Sequence, residues 1–306
     1  MVDAGLKFLQ DKGLEVEVYP GKGPMPYQEL KTKARDFEIL ITMLNDKIDR
    51  EFLLENPQLK MIANNAVGFN NIDLITASEL GIKVSNTPDV LTEATAEVAV
   101  GLTISVLRNF KEGISDIDQN RFQSFDPKGY LGTSLFHKTV GIVGMGRIGQ
   151  KTAEVFKNGF NCKILYTSNS SESSLGTKVT LEELLKNSDV VSLHVPMREE
   201  NRNLISKKEL EIMKSSAIII NTARGEVINQ VDLVWALKNK IIAGAGLDVT
   251  SPEPLPTNHE LLTLKNCTIL PHVGSANKET RAEMSMLCAY NILDFLERKN
   301  PRNCLN

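Results

Sequence analysis

The sequence predicts an α/β protein of two domains, the second of them a doubly wound parallel sheet. Three observations carry that prediction. Short apolar runs such as TVGIV (139–143) and AIIIN (217–221) alternate with stretches whose apolar residues recur at three- and four-residue spacing. The first pattern suits strands buried on both faces and the second suits helices laid over them. The run from Thr139 also turns at once through Gly144, Gly146 and Gly149 into the helical spacing of Ile148, Thr152, Val155 and Phe156. Finally, 306 residues are enough chain for two separate cores.

Composition narrows the function classes. With 42% hydrophobic residues, 24% charged residues and a net charge of −3, the chain has no electrostatic footprint for nucleic acid or an acidic membrane. No apolar run has bilayer length, and the opening MVDAGLKFLQDKG lacks the basic-then-apolar build of a signal peptide. Cys162, Cys267, Cys288 and Cys304 are scattered without a C-x-x-C pair and read as thiols of a reducing compartment. A soluble cytoplasmic protein without a metal site is expected.

In chain order, Leu6 and Leu9 mark a helix, and LEVEVY (14–19) alternates like a strand. After a Gly/Pro-rich loop at 20–26 come strand-like EILIT (38–42), helical IDREFLLE (48–55), strand-like LKMIAN (59–64), helical DLITASELG (73–81) and strand-like IKVSN (82–86). This layer opens on a helix, whereas a doubly wound half normally opens on a strand. Either the domain makes do with fewer strands, or the coding start lies downstream of the original one. Residues 91–110, LTEATAEVAVGLTISVLRNF, read as a long buried helix capped by Asp89 or Thr92. Residues 111–138 read as irregular, an arm for a partner subunit or a surface loop.

From Thr139 the βα rhythm repeats. Strands are expected at 163–167, 189–195, 217–221, 243–249 and 267–271, with helices at 181–187, 206–214 and 230–240 and a last helix near 277–298. The domain boundaries follow: 1–88 with 277–306, and 89–276. Strand, G-x-G-x-x-G and helix in that order is the setting of a dinucleotide-binding turn. One glycine permits the turn, one lets the backbone approach a pyrophosphate, and one lets the helix pack on the strand. The N–H groups that open the helix then hold the phosphates. A tight turn that binds nothing is the plainer alternative.

Cofactor choice is read at the end of the next strand, where an Asp or Glu usually binds the ribose 2′-hydroxyl of NAD. Here the strand ends at Thr167 and continues Ser168-Asn169-Ser170-Ser171, with hydroxyls and an amide but no carboxylate, and no Arg or Lys either. NADP(H) is expected to be preferred, with NAD(H) possible.

Three expected strand ends carry the chemistry: NTARGEVINQ (221–230), GLDVTSPEPLP (246–256) and ILPHVGSA (269–276). They supply Arg224, Glu253 and His272. A guanidinium fork suits an α-keto carboxylate, and an imidazole can pass a proton to a carbonyl oxygen as hydride arrives. A nearby carboxylate would orient that imidazole and favour its charged form. Taken singly, the same residues also suit an interface ion pair, a solvated turn and a loop hydrogen bonder. His194 and His259 are read as structural, and His137, ahead of the first strand of the second domain, has no evident partner.

The motifs GMGRIG (144–149), NTARGEV (221–227), GLDVTSPEPLP (246–256), LPHVGSA (270–276), NAVGFNNID (65–73) and NTPDVLTEATAE (86–97) resemble those of the D-isomer-specific 2-hydroxyacid dehydrogenases. The run 245–276 is especially similar to glyoxylate/hydroxypyruvate reductases of animals. The likeness covers nearly the whole chain. It implies a Rossmann domain beside a flavodoxin-like substrate domain, here without its first strand. It implies that Arg224 binds and polarises the keto acid, that His272 is the acid/base and that Glu253 is its partner. Val67 and Gly68 would offer backbone N–H groups to the substrate carboxylate across a closing cleft. Thr95, Gly144, Gly146, Arg147, Ile148, Ser168, Thr222 and Asp248 would meet the cofactor, Asp248 at the nicotinamide carboxamide. A homodimer built on the 91–110 helix is implied as well. Competing readings are a catalytically impaired cofactor binder of the same fold and a nucleotide-sensing corepressor.

Overall fold

The computed structural model describes residues 1–21, 23–169 and 171–306. The chain divides into two compact units, Met1–Leu91 with Ala276–Asn306, and Thr92–Ser275.

The first unit runs α1 (Asp3–Asp11), α2 (Tyr27–Lys33), β1 (Ile39–Thr42), α3 (Arg50–Leu54), β2 (Met61–Asn64), α4 (Leu74–Glu79) and β3 (Lys83–Ser85). Its sheet is parallel, in the order β1-β2-β3, with Ile39 opposite Met61 and Met61 opposite Lys83. Strand β2 is buried on both faces, as a central parallel strand must be. Ile62 joins Ile48, Phe52, Leu53 and Val84 on one face, while Met61 and Ala63 join Leu9, Cys288, Ala289 and Ile292 on the other. Asp49 and Asp73 cap α3 and α4 by accepting from the N–H groups of Phe52 and Thr76. On the outer side of β3, Leu305 donates its N–H to the Val84 carbonyl at 2.8 Å, and Cys304 bridges Ser85 antiparallel.

Two expectations for this unit need correction. LEVEVY (14–19) is not a strand. Leu14 and Val16 pack against the same cluster as Ile39 and Ile41, so the alternation does register with the core, but these residues enter no ladder. Conversely, α2 escaped the sequence reading. Its helix buries Leu30 and Lys31, and Lys31 is tied to Glu51 and Glu55, so a charged side chain occupies part of the buried face.

The second unit begins with α5 (Thr92–Leu107) and α6 (Phe110–Asp118). Then follow β4 (Thr139–Val143), α7 (Arg147–Phe160), β5 (Lys163–Thr167), β6 (Thr177–Lys178), α8 (Leu181–Asn187), β7 (Val190–Leu193), α9 (Lys207–Glu211), β8 (Ile218–Asn221), α10 (Gln230–Lys238), β9 (Gly244–Leu247) and β10 (Cys267–Ile269). The chain then returns to the first unit as α11 (Lys278–Leu296), which packs on α1 and β2. The seven strands are parallel in the order β10-β9-β8-β7-β4-β5-β6. The chain moves outward from β4 through β5 to β6, then crosses back to β7 and runs the other way. That reversal between β4 and β7 is the topological switch point at which open α/β sheets bind ligands.

Helix α5 packs against α7, β8 and β9, which accounts for apolar residues around most of its circumference. It starts at Thr92, and Asp89 has a left-handed φ of 72°. Helix α6 lies inside the stretch expected to be irregular. Its apolar residues Phe110, Ile114 and Ile117 are exposed, so it shows no buried stripe of its own. Among the described residues no helix is long and apolar enough to cross a membrane.

Candidate active site

The turn after β4 is built from glycines for steric reasons. Gly144 has φ +98°, and a side chain there would run into the backbone of His194 at the end of β7. A Cβ on Gly149 would strike the Gly144 carbonyl oxygen, so α7 approaches the turn as closely as backbone allows. Above Gly146, the N-cap of α7, there is open space, and no acidic residue stands in the first turn. Arg147 and Ile148 therefore open a 14-residue helix whose positive end faces a cleared surface. The hydroxyl of Thr222, just after β8, is buried and has no hydrogen-bond partner among the described residues. An open helix start, free of negative charge, and an orphaned buried donor fit the phosphates and a polar edge of a dinucleotide.

The second strand end departs from the sequence reading in one respect. Ser168 Oγ accepts from the Ser171 N–H at 3.1 Å, which curls the loop, and Ser170 lies outside the described residues. No cation stands in the loop itself. Strand β6, unforeseen in the sequence, brings Lys178 opposite Tyr166, where it pairs with Glu172 at 2.6 Å.

Arg224, Glu253 and His272 all belong to the second unit and follow β8, β9 and β10. Asn221, the last residue of β8, frames the first of them. Its Nδ2 donates to the Arg224 carbonyl at 2.8 Å, and its Oδ1 accepts from the Ala223 N–H at 3.0 Å. A Cβ on Gly225 would collide with the Thr250 backbone, so the Arg224 turn lies directly on the loop that carries Glu253. Gln230 Oε1 accepts from the Ser251 N–H at 3.0 Å and holds that loop from below.

His272 has a left-handed φ of 55°, and its N–H donates to the Asp248 carbonyl at 2.9 Å. Histidine tolerates that region better than most residues, but it is uncommon and places the ring deliberately. The ring Nδ1 lies 2.6 Å from Glu253 Oε1. A carboxylate only accepts, so Nδ1 carries the hydrogen and Nε2 is left for another partner. Burial alone would raise the Glu253 carboxyl, but the hydrogen bond and charge of His272, with help from Thr250 and Arg224, outweigh it and hold the group below its ordinary value. Arg224 is pulled down by burial, against which the charges of Glu253 and Glu226 work.

Asp248 is buried, with a carboxyl raised mainly by that burial. It accepts from the N–H groups of Val273 and Gly274 at 2.7 and 2.8 Å, and Thr95 donates to the Gly274 carbonyl at 3.0 Å. Thr95 and Asp248 thus brace the segment that follows His272. Val67 and Gly68 belong to the first unit, in the loop after β2.

The remaining histidines sit in local frameworks. His137 meets Asn161 at 3.1 Å, a partner the sequence did not suggest. His259 accepts from the Leu261 N–H and faces Gln230. His194 meets Ser192 Oγ at 2.9 Å, and burial pushes its imidazole down to about 4. Asn221 and Gln230 were missed in the sequence. The only local signal for them was position, at the edge of β8 and the start of α10.

Residues 100–274 match the family described as D-isomer specific 2-hydroxyacid dehydrogenase, NAD binding domain, and the chain belongs to that family of oxidoreductases. It is an NAD(P)-dependent 2-hydroxyacid dehydrogenase. Within the family it is 42% identical over 307 residues to the glyoxylate reductase of Aeropyrum pernix, covering 97% of this chain and 91% of that one. The glyoxylate reductase of Thermococcus litoralis is also 42% identical, over 311 residues, 99% of this chain and 93% of its own. In crystal form, the TT0316 protein of Thermus thermophilus superposes with a TM-score of 0.94 at 40% identity, covering 99% of this chain and 96% of that one.

Proposed function

We propose that this enzyme reduces a small 2-keto acid, glyoxylate or hydroxypyruvate, to the 2-hydroxy acid, with NADPH preferred to NADH. The observation that carries the reading is the 2.6 Å pair between His272 and Glu253, on the sheet edge that also bears Arg224 and the glycine turn. When bound, the nicotinamide supplies the hydride. His272 acts as the doubly protonated imidazolium: with its Nδ1–H held by Glu253, it gives the Nε2 proton to the carbonyl oxygen, completing the alcohol and leaving the neutral Nδ1–H ring. Arg224 presents a planar fork to the keto acid and withdraws charge from the same oxygen. Val67 and Gly68 give N–H groups to the carboxylate. The cofactor rests on the turn at Gly144 and Gly146, on the helix start at Arg147 and Ile148, and against Thr95, Ser168, Thr222 and Asp248.

The preference for NADPH is supported by a loop after Thr167 that is hydroxyl-rich at Ser168 and holds its nearest carboxylate, Glu172, in a pair with Lys178. A second copy of the chain is the proposed partner. Exposed Phe110 and Ile114 on α6, with exposed Phe122, Phe125 and Leu131 in the segment that follows, favour a homodimer over an isolated chain. The four free thiols suit a cytoplasmic setting. Initial rates with NADPH and NADH against glyoxylate and hydroxypyruvate test the reading. Turnover with NADPH at a higher kcat/KM than with NADH is expected; no turnover with either keto acid refutes it.

A further inference from the structure

We infer that Asn86 and Asn64 are positioning residues that aim the backbone N–H groups at Val67 and Gly68 toward the substrate carboxylate. The inference rests on the proposal that those N–H groups bind it. It adds the device that makes them available.

In a trans peptide the C=O of one residue points opposite to the N–H of the next, so tying back a carbonyl aims the following N–H the other way. Three successive carbonyls after β2 are tied in this manner. The Ala66 carbonyl accepts from the Thr87 N–H at 2.9 Å, which turns the Val67 N–H outward. The Val67 carbonyl accepts from Asn86 Nδ2 at 2.9 Å, which turns the Gly68 N–H outward. The Gly68 carbonyl accepts from Asn64 Nδ2 at 2.8 Å, which holds the far end of the loop. The N–H groups of Val67 and Gly68 have no acceptor among the described residues, and both residues are half-exposed. Adjacent outward peptide donors of this kind form an anion-binding concavity, and a carboxylate can take two of them together.

The asparagines are themselves clamped. Asn64 is fully buried at the end of β2, and its Oδ1 accepts from Thr42 Oγ1 at 3.0 Å on neighbouring β1. A carbonyl cannot donate, so the amide nitrogen must be the atom that faces Gly68. Asn86 is also buried. Its N–H goes to the Asn303 carbonyl at 3.3 Å, and its carbonyl accepts from Asn291 Nδ2 at 3.1 Å. Asn291, buried on α11, accepts in turn from the Asn303 N–H at 3.0 Å. The side chain of Asn86 therefore has one remaining task in this network, the Val67 carbonyl. Aspartate in either place would keep the shape but face a carbonyl with a second acceptor.

The test compares wild type with Asn86→Asp, Asn64→Asp and Asn86→Ser, the last removing the reach without adding charge. Steady-state KM and kcat for glyoxylate are measured beside the Kd of NADPH in the absence of substrate. A KM raised about 10-fold or more, with kcat within about 3-fold and the NADPH Kd unchanged, is expected for loss of donors to a charged group. Unchanged KM in variants that bind NADPH normally overturns the inference. So does loss of NADPH binding and of folding in all three, which would make the asparagines purely structural. Wild-type rates with glyoxylate and its uncharged amide separate the two claims. Equal KM for both substrates defeats the proposal about Val67 and Gly68 themselves. A strict need for the carboxylate, with unchanged variants, defeats only the role of the asparagines.

Discussion

Glu253 Oε1 receives the Nδ1–H of His272 at 2.6 Å, across a loop and a strand end that lie 19 residues apart in sequence. The pair defines the tautomer of the ring, and with it which nitrogen can serve a substrate. Replacing His272 by alanine is expected to lower kcat by about 10²-fold or more, since general acid catalysis typically supplies ~10²–10⁴. Arg224→Lys is expected to lower kcat/KM by about 10-fold or more, because a point charge cannot reproduce a bidentate fork. Full turnover in the His272 variant would remove this proton donor from the mechanism.

The same pair has a pH signature. The Glu253 carboxyl titrates below its ordinary 4.5 in the folded chain. A depressed acid gives stability that is present above the unfolded value and lost as pH falls through the folded one. The contact should thus survive at pH 4.5 and fail only below it. In Glu253→Gln, acid denaturation below pH 4.5 should lose this contribution and become shallower, while kcat at neutral pH falls because the ring loses its charged partner. Identical acid transitions in both proteins would show that the pair contributes nothing to folding.

His194 makes the opposite kind of group, a base held neutral. Burial depresses its imidazole from 6.5 to about 4. The unfolded chain takes up a proton first as pH falls, so stability is complete above pH 6.5 and is lost progressively toward pH 4. The loss is expected to be about 3 kcal/mol, from some two and a half pKa units at ~1.4 kcal/mol each. His194→Gln, able to keep the bond to Ser192, should show a flatter melting temperature between pH 6.5 and pH 4. An equally steep profile would assign the slope to other groups.

Ser168→Asp should weaken NADPH more than NADH. A carboxylate at that place would face a 2′-phosphate and accept from a free 2′-hydroxyl. Titrating both cofactors against the variant measures the difference directly. Equal weakening would locate the preference elsewhere, with Lys178 on β6 the next residue to exchange.

Hydrogen exchange should divide the molecule unevenly. Strands β4 and β8 are each paired on both sides, whereas β1 pairs only with β2, and residues 14–19 enter no ladder. Amides at 14–19 and in β1 are expected to exchange well before those at 140–143 and 218–221. Equal protection would mean that the first sheet gains its order from something other than strand pairing.

Much of this protein was legible because its signals are local. A glycine is needed where φ is positive or where two backbones meet, and Gly144 and Gly149 are both cases that spacing alone reveals. Apolar runs bounded by turns announced every strand of the second unit except β6, which has only two residues and no buried side chain. Helices α2 and α6 went unread because one buries a paired lysine and the other leaves its apolar residues exposed. LEVEVY was misread for the complementary reason, since alternation reports which side faces a core and says nothing about whether a partner strand is present.

The sequence by itself determined the order of most elements and the turn at Gly144, and it singled out the side chains Arg224, Glu253 and His272, because each follows from residue type and its near neighbours. Tertiary structure alone decided what those groups touch. It set Asn221 under Arg224, Gln230 under the loop of Glu253, Asp248 under the segment after His272, and Asn86 and Asn64 behind Val67 and Gly68. An amide side chain looks alike in any sequence. Its meaning lies in which distant carbonyl or N–H it reaches, and that is known only when the strands that carry both ends have packed.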